Sequence, residues 1–121
     1  MNTAKKSTNT RLQEQVDHIV KTIENGYQVT ENDYWEGLYE VGDILSAFDY
    51  IDGYYDVEYY VNSDKQTVRG ARFMVAGGGP NIFIDTKLKT VEGYWWSDKY
   101  IARYYDDPMG LEDLAQELWE C

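Results

Sequence analysis

Between Val57 and Tyr105 no connection is long enough for a parallel crossover, so whatever sheet the chain forms there must be antiparallel. A parallel pair needs a dozen or more connecting residues, whereas antiparallel strands close with a few. Val57-Glu58-Tyr59-Tyr60-Val61 reads as a strand, followed by a polar turn at Asn62-Ser63-Asp64-Lys65 and a second strand from Val68 to Val75. Gly77-Gly78-Gly79-Pro80-Asn81 is a turn signal, and Ile82-Phe83-Ile84-Asp85-Thr86 with Val91-Glu92-Gly93-Tyr94-Trp95-Trp96 reads as a second hairpin. A fifth strand is expected around Tyr100 to Tyr105, where aromatic and polar residues alternate less cleanly.

Both flanks of this region carry helical periodicity. Leu12, Val16, Ile19, Val20 and Ile23 form one stripe on a 3.6-residue period. Thr10 is the expected cap with Gln13 completing a capping box, and Gly26 the expected stop. A second helix is expected from Asp33, capped by Asn32 or Thr30, with Trp35, Leu38, Val41, Leu45 and Phe48 on its apolar side. Gly37 and Gly42 weaken it by about 1 kcal/mol each relative to Ala, which places a break near Gly42 or Ser46. Ser46 then restarts a short helix ending close to Asp56. Pro108 suits the first turn of a closing helix with Met109, Leu111, Leu114, Ala115, Leu118 and Trp119 as its stripe. The reading is a polar flexible arm over residues 1–9 and a single α+β domain over 10–121. Its antiparallel four- to five-stranded meander has N-terminal helices and a C-terminal helix packed on it.

At 121 residues, 43% of them hydrophobic, the chain has material for one core and not for two. The single cysteine, Cys121, allows no intramolecular disulfide, and no apolar run resembles a signal peptide or a membrane span. A cytoplasmic protein with no membrane association is expected.

The residue types that carry covalent chemistry are nearly absent. His18 is the only histidine and sits on the flank of the first helix stripe, while Cys121 lies at the chain end, where no fixed nucleophile and base geometry is expected. The Gly77–Gly79 run lacks a following Lys-Ser or Lys-Thr and precedes a strand, so it reads as a turn rather than a phosphate loop. Asp49, Asp52, Asp56 and Glu58 match no register of a calcium loop. An enzyme would need a carboxylate pair such as Asp85 with Glu92, brought together across the second hairpin. We read the chain as non-catalytic, without cofactor and without metal.

Charge is the informative feature. From Glu31 to Asp64 there are ten acidic residues and no Lys or Arg, and the tail from Asp106 to Cys121 holds six acids and no base. Residues 65–105 between them carry a net +4, against −11 for the whole chain. On helices, Glu36, Glu40 and Asp43 would form one row of like charge and Asp49, Asp52 and Asp56 another, each pair costing a few tenths of a kcal/mol. Tyr54 and Tyr55 lie beside them, and tyrosine among carboxylates can meet Arg by ion pairing and cation–π contact. These eight residues are the candidate contacts for a basic protein partner, a nucleic-acid-handling enzyme whose groove accepts carboxylates in place of phosphates. Direct binding of nucleic acid is disfavoured by repulsion. The tail acids read as solubilising.

The segment Ala71 to Thr86, with its Gly-Gly-Pro-Asn turn, and Val91-Glu92-Gly93-Tyr94-Trp95-Trp96 with a Trp-containing acidic tail resemble a group of small acidic proteins. That group is encoded on phages, plasmids and conjugative elements of Firmicutes. The resemblance spans about Ser46 to Trp119 and maps no functional residue onto this chain. It implies a mobile-element protein, and hence either an inhibitor of host defence of the anti-CRISPR or antirestriction type, or a regulatory accessory protein (antitoxin-like or conjugation-associated) with a merely solubilising surface.

Overall fold

Alternation along the extended segments decides which side chains meet the helices. In the computed structural model, which describes residues 3–33, 35 and 37–120, five strands form one sheet. They are β1 (Asp56–Val61), β2 (Val68–Ala76), β3 (Asn81–Asp85), β4 (Thr90–Trp95) and β5 (Asp98–Arg103). Each strand pairs antiparallel with the next, in the order β1-β2-β3-β4-β5. The protein is therefore an α+β fold with a meander sheet, as its short turns require.

One face of this sheet carries the core. Ala71, Phe73, Ile82, Ile84 and Val91 are buried there, and register sets Phe73 opposite Ile84 and Ile84 opposite Val91. Helix α1 (Thr3–Asn25) lays Leu12, Val16 and Ile23 against β4 and β5, with Ile19 and Val20 half-buried beside them. Each such buried aliphatic side chain contributes about 1.5–3 kcal/mol. Gly93 makes the approach possible, because a Cβ there would lie 2.7 Å from Val16 Cγ2 and 2.8 Å from Leu12 Cδ1.

The stripe on α1 agrees with its spacing, but its start does not. The helix begins at Thr3, so Thr10 lies inside it and caps nothing. No Gly or Pro interrupts residues 3–10, and Ala4, Lys5 and Lys6 are good helix formers. At the other end Gly26 takes φ +81° and its N–H bonds Thr22 O at 2.8 Å, the left-handed stop that was expected.

Among the described residues the helix expected from Asp33 does not form. Residues 27–29 and 42–45 instead pair as an irregular double strand held by Val29 N to Asp43 O, Gly42 N to Val29 O and Leu45 N to Tyr27 O, around a bridge between Gln28 and Ile44. Gly37 and Gly42 both have positive φ. Local carboxylates complete the competition: Asp33 Oδ2 accepts from Thr30 N and Asp43 Oδ2 from Glu40 N, each at 2.8 Å. Such side-chain turns offer the backbone an alternative to the helix. Leu38 and Val41, expected on a buried stripe, are 73% and 70% exposed.

Two further helices close the fold. The single turn α2 (Ala47–Tyr50) is capped by Ser46, whose Oγ accepts from Asp49 N. Helix α3 (Leu111–Glu120) packs Leu111, Leu114 and Ala115 toward β2. Its start is set by Asp107 rather than Pro108, since Asp107 accepts from the N–H groups of Gly110, Leu111 and Glu112.

Candidate partner-binding surface

Packing brings the two base-free acidic stretches together. Ala47 N donates to Met109 O at 3.0 Å, and α2 rests against α3. Trp119 of α3 meets Tyr59 of β1 edge-on at 5.2 Å. The two stretches thus adjoin where α2 meets α3, and each carries exposed acids: Glu40, Asp43 and Asp52 in the first, Glu112, Asp113 and Glu117 on α3. The basic residues lie outside these two stretches in sequence, among them Arg11 and Lys21 on α1, Arg69 on β2, and Lys99 and Arg103 on β5. Phe48 (53% exposed) and Tyr55 (68%) stand within the acidic stretch, as do Leu38 and Val41.

The eight expected contact residues are not equivalent. Glu36 lies outside the described residues, as do Tyr34 and Cys121. Glu40 and Asp43 are the two ends of one turn, closed by Asp43 N to Glu40 O at 3.0 Å. Asp49 lies in α2, where its Oδ2 accepts from the Tyr39 hydroxyl and from Ser46 Oγ. Asp52 is exposed in the following turn, and Asp56 opens β1. Among the described residues only Ala47–Tyr50 of this stretch is helical, so Glu40 with Asp43, and Asp49, Asp52 and Asp56, do not stand in helical rows. Tyr54 points inward: its ring packs edge-on against Phe73 at 5.4 Å. Tyr55 is the outward member of the pair.

A second cluster escaped the sequence entirely. On the sheet face away from the helices, the Arg72 guanidinium stacks on the Phe83 ring, 3.7 Å from its centroid, and Nη2 reaches Glu92 Oε1 at 3.1 Å. Glu92 also accepts from the hydroxyls of Tyr94 and Thr90, while Glu58 lies 3.6 Å from Arg72 Nη1. Burial lowers the affinity of Arg72 for its proton, but the bond and charge of Glu92 outweigh it and the guanidinium pKa ends higher than usual. Burial and the bond to Glu92 likewise raise Tyr94. Asp85 and Glu92 share this face without forming a carboxylate pair, each being occupied by its own donors: Tyr60 hydroxyl, Lys87 N and Leu88 N on Asp85. Cross-strand register creates this cluster, and nothing local in the sequence announces it.

His18 is exposed on α1, and the Gly77–Gly79 run is the turn between β2 and β3. Among the described residues no helix is long and apolar enough to cross a membrane, and no three His, Cys, Asp or Glu side chains converge as metal ligands. Compared with family models, with curated proteins and with solved structures, the chain matches none.

Proposed function

We propose that the protein is a non-catalytic inhibitor that binds a basic, nucleic-acid-handling enzyme of a host, of the anti-CRISPR or antirestriction type, as its resemblance to mobile-element proteins suggests. The observation that carries this reading is the meeting of two acidic, base-free stretches through α2 and α3, with Phe48, Tyr55, Leu38 and Val41 exposed among them. A patch of one sign steers a basic partner into encounter. Exposed apolar and aromatic side chains then supply the desolvated anchors that hold a complex. A net charge of −11 repels phosphate, so the partner is a protein rather than its nucleic acid.

Capture from host lysate on the immobilised protein, at low and at high salt, tests the reading. A nuclease, Cas protein or restriction subunit retained at low salt and released by high salt supports it. Retention of a toxin or a component of a transfer apparatus would assign the accessory role instead, and retention of nothing basic would sink inhibition by charge mimicry.

A further inference from the structure

The sheet face opposite the helices is covered by nothing among the described residues, yet its centre is made for covering. Met74, Phe83 and Tyr94 lie on it half-buried, and Ile101 is 46% exposed. Its charges are already neutralised internally: Arg72 by Glu92 and Glu58, Asp85 by Tyr60 and two backbone N–H groups. No buried side-chain nitrogen or oxygen described is without a partner. A second layer could therefore seat here without stranding a charge, the usual obstacle to covering polar groups.

The rims of this face say which layer. On β1, at one edge, the outward residues include Asp56 and Glu58. On β5, at the other, they are Lys99, Ile101 and Arg103. Register puts Glu58, Arg72, Asp85, Thr90 and Arg103 in one row across the sheet. A two-fold axis running along β3 turns β1 of one copy onto β5 of the other, sets Phe83 against Phe83, and brings each Glu58 to the Arg103 of the second copy. An axis across the strands would instead oppose acid to acid. The face is complementary to itself in one orientation only, which an isologous contact requires.

We infer that this face is the contact of a homodimer, two sheets packed face to face about an axis parallel to β3. It lies on the sheet rather than on α2 and α3, although Asp56, one of the expected partner contacts, stands at its rim. Five strands about 4.8 Å apart, paired with their neighbours over four to six positions, give a flat footprint of about 400 Å² per copy. That is about half of a standard interface, the size of weak and transient contacts.

Sedimentation equilibrium of the full chain over rising concentration tests this. The wild type is expected to dimerise reversibly, more weakly as salt is added. E58K and R103E, both at exposed positions, each place like charges across both symmetry-related contacts and should weaken the dimer at least about tenfold. Mixed in equal amounts, these two variants should form heterodimers, because the introduced Lys then meets the introduced Glu at one contact and the native Glu58–Arg103 pair is kept at the other. Circular dichroism of each variant alone should match the wild type. A wild type that stays monomeric to about 1 mM, the weak end of the affinity scale, overturns the proposal. So do single variants that dimerise as the wild type does, or a mixture that remains monomeric.

Discussion

The Tyr60 hydroxyl reaches from β1 to the fully buried carboxylate of Asp85 on β3, donating to Oδ2 at 2.5 Å. It can do so because Gly70, opposite Tyr60 on the intervening strand, has no side chain, and a Cβ there would lie 2.8 Å from Lys87 Cβ. Asp85 Oδ1 meanwhile accepts from Lys87 N at 3.0 Å and Leu88 N at 2.9 Å, fixing the β3–β4 turn. One carboxylate thus ties β1 to β3 and to the turn that follows it. Tyr60→Phe removes a donor and leaves a buried acceptor short, which should cost about 1–3 kcal/mol. Urea unfolding measures it, with Tyr105→Phe at a 74% exposed position as a control expected to change nothing.

The same pair makes the fold sensitive to alkali. The bond to Asp85, then burial, push Tyr60 up to about 12, and burial followed by the charges of Asp107, Asp85 and Glu112 pushes Tyr104 higher still. An unfolded tyrosine titrates near pH 10. With folded values above unfolded ones, the stabilisation is complete below pH 10 and is lost as pH rises through the folded values. Stability should therefore fall steeply above pH 10, with phenolate absorbance and loss of ellipticity rising together. Tyr60→Phe should make that fall shallower. Smooth ionisation of every tyrosine near pH 10 in a still-folded protein would contradict it.

Arg72 and Glu92 predict a contrast between single and double replacement. Their side chains are 23% and 10% exposed, so Arg72→Met strands a largely buried carboxylate and should destabilise by about 2–4 kcal/mol. Replacing both, Arg72→Met with Glu92→Leu, removes the stranded charge and should recover most of the loss, since apolar residues of similar volume often substitute for such a pair. Thermal melts of the three variants decide it. A double variant as unstable as the sum of the singles would show the pair to be more than a mutual neutralisation.

How much of this was legible depends on whether local or long-range forces decide. The strands were, because period-2 runs such as Val57–Val61 and Ile82–Thr86 are bounded by turns that admit one pairing. The segment from Asp33 to Leu45 was misread because Trp35, Leu38, Val41 and Leu45 have helical spacing. The competing signals were present but smaller: Thr30 with Asp33, Glu40 with Asp43, Gly42 inside the second of these turns and Gly37 between the two. Two bonds near 2.8 Å and two positive-φ glycines outweighed the stripe, leaving Leu38 and Val41 exposed while Leu45 and Trp35 still reach the core. The acidic rows vanished with that helix. In their place stands a surface assembled from α2 and α3, whose sequences are some sixty residues apart, a distance that only the register of the whole sheet can close.

That assembly changes which acids a binding test should reverse. Asp43 and Asp49 each accept hydrogen bonds that hold a turn or α2 in place, so their reversal would mix folding with binding. Glu40 and Asp52 are exposed, and no hydrogen bond to either carboxylate is found among the described residues. Glu40→Lys with Asp52→Lys should slow association with the captured host enzyme at low salt and leave the melt unchanged. The α3 acids, read from sequence as solubilising, adjoin α2 and cannot serve as a control. Glu112→Lys with Glu117→Lys should weaken binding comparably, because steering follows the field of the whole patch rather than one element. The control moves to Glu14 on the part of α1 that packs on β4 and β5, about two turns before Thr22, where the helix meets Tyr50 of α2. Glu14→Lys, which spares the bond from the Tyr100 hydroxyl to Asp17, should bind as the wild type does. Association rates at two ionic strengths give the answer. Equal slowing by Glu14→Lys would mean that only net charge matters, and no slowing by either pair would mean that the surface at α2 and α3 takes no part in recognition.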